Sequence, residues 1–129
     1  MRLALVSHTE DSANRLGEQI RQACMRLRGV ELSCVEVAPD HPGLKPPKDV
    51  DAVIVDLPIE RRGELAICCA KTGQHLLVRG PISAELVEST ALMSECTKSK
   101  VQTMIGGTAR FRPSMNAIKA ALDENRLGI

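Results

Sequence analysis

Residues Asp49–Ser83 read DVDAVIVDLPIERRGELAICCAKTGQHLLVRGPIS, and this stretch decides the fold. Asp51-AVIVDL is an apolar run of strand length without polar alternation, the pattern of a strand buried on both faces. Glu60 to Thr72 carry a helical pattern stopped by Gly73, and His75 to Val78 form another short apolar run. Strand, helix and strand in close succession make a βαβ unit, whose right-handed crossover implies parallel pairing.

The flanks extend the same alternation. Leu3 to Val6 read as a strand, and Ala13, Leu16, Gly17, Ile20, Cys24 and Leu27 recur at helical spacing after it. Ser7 with Glu10 has capping-box spacing, Thr9 is an alternative cap, and Gly29 suits a left-handed stop. Val30 to Val37 read as a second strand ended by Pro39. The segment PDHPGLKPPKD that follows holds four prolines and predicts a loop or extended connector. Downstream, Ser83 is expected to cap a helix, Val101 to Ile105 to form a fifth strand, and Met115, Ile118 and Leu122 to stripe a last helix entered through Pro113. The expected architecture is one α/β domain over residues 1–129, a three-layer Rossmann-like sandwich around a mainly parallel five-stranded sheet.

Composition narrows the function classes. Lysine plus arginine number 17 against 16 acidic residues, a balance that gives no electrostatic reason to expect nucleic acid or an anionic membrane. The opening MRLALVSHTED has too short an apolar run for a signal peptide, and no stretch is long enough to span a bilayer, so the expected location is the cytoplasm. Cys24, Cys34, Cys68, Cys69 and Cys96 are odd in number and lack CxxC spacing, which favours reduced core thiols. His8, His41 and His75 are scattered singly, and no metal site is expected.

In a sheet of this kind ligands sit beyond the carboxyl ends of the strands, near the point where strand order reverses. Those ends carry Ser7-His8-Thr9, Asp56-Leu57-Pro58, Arg79-Gly80-Pro81 and Gly106-Gly107-Thr108. His8 is placed there as a candidate for chemistry, yet Ser7 beside it in sequence defines no triad geometry. Gly106-Gly107 either admit a ligand close to the backbone or let the chain turn.

The Asp49–Ser83 stretch, with VQTMIGGTARFRPSMNAIKAALDENRLG at 101–128, resembles the nucleotide domain of the glucose-fructose oxidoreductase, inositol dehydrogenase and MocA (Gfo/Idh/MocA) family. Arg110-Phe111, Pro113 and Leu127-Gly128 carry the second half of the likeness. The resemblance implies a domain that binds NAD or NADP, with Ser7, His8, Thr9, Leu57, Pro58, Arg79 and Gly80 at the cofactor positions. It also implies a substrate domain, which is not expected within residues 1–129.

Three departures from the family pattern stand in the sequence. Many members have a glutamate-lysine-proline motif where this chain has Arg79-Gly80-Pro81. Gly80 thus replaces the lysine, and an arginine at 79 is a poor general base, so no catalytic residue is assigned. SHTEDS at 7–12 holds no glycine where a phosphate loop belongs, and Glu10 and Asp11 would repel a diphosphate at the helix end. Glu36 or Asp40 remain candidates for an adenosine ribose. Finally, the connector between Ala38 and Asp51 is too short for the family's helix, strand and helix. Losing that section makes Val30 to Val37 a sheet edge and predicts the strand order 2-1-3-4-5. An unpaired edge invites pairing with a second copy. The expectation is therefore a Gfo/Idh/MocA-type nucleotide domain without dehydrogenase activity on its own, working with a separate substrate-domain chain. The alternative is a non-catalytic interaction or regulatory domain.

Overall fold

Short apolar runs separated by helical stripes leave few ways to bury both, and the chain adopts the parallel solution. The computed structural model describes residues 1–8, 15–38 and 42–126. In chain order these form β1 (Arg2–His8), α1 (Arg15–Met25), β2 (Glu31–Val37), β3 (Ala52–Asp56), α2 (Ile59–Lys71), β4 (His75–Arg79), α3 (Leu86–Ser99), β5 (Thr103–Gly106), a short 3-10 helix (Thr108–Phe111) and α4 (Pro113–Asp123). The strands make one sheet in the order β2-β1-β3-β4-β5, all neighbours parallel, as the sequence predicts. Glu10, Asp11 and Ala13 of the expected first-helix start, like Pro39, Asp40, His41 and Leu127-Gly128, lie outside the described residues.

Alternation of side chains along each strand builds two unequal cores. Val6, Val53, Val55, Leu76 and Val78 meet Leu65, Ala66 and Cys69 of α2 and Leu92 and Cys96 of α3. Leu65 and Leu92 are fully enclosed, and each such side chain contributes about 1.5–3 kcal/mol by leaving water. The opposite face is thinner: Leu3, Leu5 and Ile54 pack on Cys24, with Ile20 and Leu77 partly buried beside them. Among the described residues no helix is long and apolar enough to cross a membrane.

Punctuation is partly as read. Gly73 follows α2 with φ +79°, the left-handed stop that the sequence predicts. Ser7, by contrast, lies inside β1 rather than capping a helix, and α3 starts after Glu85, not after Ser83. Ser83 Oγ accepts the Glu85 N–H at 3.0 Å and donates to the Glu88 carboxylate, so it braces the turn before the helix without capping it. The cysteines are all free, but only Cys24, Cys69 and Cys96 are buried; Cys34 is exposed and Cys68 half-buried, which corrects the reading of five core thiols.

Candidate functional site at the strand ends

The strand order reverses between β1 and β3, because β1 leads outward to β2 whereas β3 leads the other way to β4 and β5. Register brings the predicted residues to that point. Ser7 stands opposite Glu36 on one side and Asp56 on the other, and His8 opposite Val37. Leu57 and Pro58 continue from β3 into α2, and Arg79 stands opposite Gly106 at the end of β4. Ser7, His8, Leu57, Pro58, Arg79 and Gly80 therefore share one rim, while Thr9 lies outside the described residues.

Their chemistry is more committed than the sequence suggests. Arg79 is tied to the sheet: its Nη1 donates to Asp56 Oδ1 at 3.0 Å, and the Asp56 side chain is wholly inaccessible to water. A buried carboxylate requires such a partner. The Leu57 side chain is buried in the core, and Pro58 precedes the first turn of α2 with no side-chain cap. At Gly80 a Cβ would lie 3.0 Å from Ile105 Cγ2, so the neighbouring strand crowds the position where the resemblance places a lysine.

Arg62 is a site residue the sequence reading passed over. It sits in the first turns of α2 and is 7 % exposed. Its Nε donates to the Leu57 carbonyl and its Nη1 to the Pro81 carbonyl at 2.9 Å, tying the loop after β3 to the loop after β4. Burial, followed by the nearby Arg79 charge, pulls the guanidinium below its ordinary value. The sequence signal was a second arginine in IERRG, indistinguishable from a solvated helix residue until both carbonyls are in view.

A cavity of about 320 Å³ opens beside this rim, lined by Val6, Val35, Val37, Leu44 and Leu65, with Glu36 and Lys45 also contributing. Leu44 folds the proline-rich connector over the sheet and joins the larger core. Glu36, a sequence candidate, thus lines an apolar chamber, whereas Asp40 lies outside the described residues. A flat apolar group with a polar edge fits such a lining.

No protein-family model matches the chain. It is 33% identical over 81 residues to 4-carboxy-2-hydroxymuconate-6-semialdehyde dehydrogenase of Sphingobium sp., covering 63% of this chain and 26% of that protein. It is 29% identical over 79 residues to scyllo-inositol 2-dehydrogenase (NAD(+)) of Bacillus subtilis, covering 61% and 23%. Among solved structures, myo-inositol 2-dehydrogenase from Lactobacillus plantarum superposes with a TM-score of 0.75 at 18% identity, over 99% of this chain and 42% of that one, a likeness of fold. The chain spans about a quarter of the length of the curated relatives it matches. Relatives and structural neighbours are Gfo/Idh/MocA-type oxidoreductases, and this chain is similar to their amino-terminal portion and shares its Rossmann-like fold.

Proposed function

We propose that this chain is a Rossmann-type nucleotide module whose grip on NAD or NADP is weakened and which transfers no hydride by itself. One observation carries the reading. At the end of β4 the only cationic side chain is held by buried Asp56, and Gly80 offers no side chain where the resemblance puts a lysine. Cofactor chemistry needs protein groups that position it and move protons, and the lysine that the resemblance would place at this rim is absent. Substrate identity follows from the part of the relatives' length that this chain does not cover.

The apolar chamber beside the rim is the place for a residual nucleoside. Its walls, Val6, Val35, Val37, Leu44 and Leu65, suit an adenine. The glycine-free SHTEDS segment removes the close backbone approach that normally holds the pyrophosphate. Five free cysteines fit a reducing compartment, and the cytoplasm is the location we propose.

Calorimetric titration with NAD, NADP and their reduced forms tests this. A dissociation constant near or above about 1 mM, equivalent to about −4 kcal/mol, is expected. Saturable micromolar binding, or hydride transfer by the chain alone from an inositol to NAD, would overturn the proposal.

A further inference from the structure

Two apolar surfaces of this chain lack a covering layer. The first is a groove of about 400 Å³ on the thinner face of the sheet, lined by Met1, Leu27, Ile54, Leu77 and Met104 among others. Met104 and Leu27 are 58% and 56% exposed there. Helix α1 lies over the β1 and β2 side of that face, and among the described residues no helix covers its β4–β5 half. The second surface is α4. Met115, Ile118 and Leu122 fall on one stripe, yet remain 43–47% exposed, and α4 has no buried residue. Its principal contact is the preceding 3-10 helix.

A sheet face without its helix and an amphipathic helix without its sheet are complementary needs within one sequence. We propose that two copies of this chain satisfy both by exchange, the α4 stripe of each entering the Met104 groove of the other about a twofold axis. The contact is isologous and therefore closes at two copies.

Area supports a second copy as the occupant. An 11-residue helix is about 16 Å long and about 10 Å wide. Two helix faces and two grooves of that footprint, with accessible area roughly twice the projection, bury on the order of 1,200 Å², the lower end of the range for specific association. One helix in one groove would bury only half of that. The composition agrees, since the groove lining is apolar apart from His75, Gln102 and Thr103, and the α4 stripe carries no charge. Exposed apolar groups so concentrated are the surfaces that association removes from water. This proposal is independent of whether any dinucleotide binds.

The test is sedimentation equilibrium from low micromolar to about 200 µM, a span over which mass action reveals a weak dimer. The mass is expected to rise from the 14.0 kDa of one chain towards twice that value. Ile118→Glu and Met104→Glu each place a charge in one half of the contact, at exposed positions that the fold does not need, and each is expected to remain monomeric. Mixed in equal amounts, the two variants should also stay monomeric, because the one intact helix-in-groove pair of a heterodimer buries only half the area. A wild-type monomer at 200 µM would overturn the proposal, and so would dimers unaffected by either charge. Abolition of the dimer by a charge at Val35 but not by those two would instead assign the contact to the β2 edge.

Discussion

Replacing Arg62 by methionine tests whether the rim is held from within. The guanidinium joins two carbonyls, those of Leu57 and Pro81, in the loops that follow the paired strands β3 and β4. A hydrogen bond from a charged group contributes about 1.5–3 kcal/mol, so two set a ceiling of about 3–6 kcal/mol. Two effects offset part of this. Methionine relieves the burial of a charge, and it removes the repulsion between Arg62 and Arg79; these are the causes that lower the Arg62 pKa, burial first. The net loss is about 2–4 kcal/mol. With a urea slope of about 1–3 kcal/mol per molar for a small domain, the unfolding midpoint should fall by about 1–2 M. The measurement belongs at low micromolar protein, where self-association adds nothing to the apparent stability. Arg62→Lys keeps the charge but lacks the fork that reaches both carbonyls, and should fall between the two. Hydrogen exchange supplies the local readout: amides at 80–83 should lose protection before those of β3. If Arg62→Met unfolds within about 0.3 M of the parent and leaves those amides protected, the arginine is not what fastens the two loops.

Three further outcomes follow from the same structure. Lys100 ends α3 in the left-handed region at φ 55°, where a side chain is strained, so Lys100→Gly should raise stability by about 1 kcal/mol in urea denaturation. In the folded protein at pH 8, Cys34 should alkylate fastest and Cys68 more slowly, whereas Cys69 is buried with its thiol pushed up to about 12 and should react only in denaturant; peptide mapping after timed iodoacetamide reads all three. The Asp51 carboxylate is lowered below its ordinary 3.8, chiefly by the Arg2 N–H donated at 2.7 Å, so it stabilises the fold above that value and the contribution disappears as pH falls through the lowered one. Asp51→Ala should therefore lower the melting temperature at pH 7 and lose most of its effect near pH 2.

The architecture was readable because each strand announces itself locally. Ala52–Asp56 is an unbroken apolar run closed by one carboxylate, and Gly73 marks the end of α2 by needing a conformation that other residues resist. The same local logic misplaced Ser83, since a hydroxyl two residues too early can satisfy the Glu85 N–H without starting the helix. It also had no sign for Lys100, which takes a left-handed stop without the glycine that usually reveals one. Cysteine burial went the same way: Cys34 lies on a strand with an apolar neighbourhood in sequence, but that strand is the edge, and its outward positions face water.

The rim was legible only as a location, because its bonds join residues far apart in the chain. Asp56 and Arg79 each end a strand, and once those strands are adjacent, parallel and paired at Val55 with Val78, the next two residues must be side by side. A charge pair was thus implied by topology, although neither residue indicates it alone. Gly80 is the sharper case. From the sequence it reads as a lost lysine; in the structure any side chain there meets Ile105, which belongs to β5 and is itself half exposed. The missing amine and the position of the neighbouring strand are therefore coupled. A lysine placed at 80 must displace Ile105 by a few tenths of an ångström or tilt the backbone away from it, and restoring that group alone still leaves Arg79 occupied by Asp56 and no glycine in the SHTEDS segment. The departures from the family pattern lie on different strands, so the weakened grip proposed for this domain is not expected to be reversed by any one substitution.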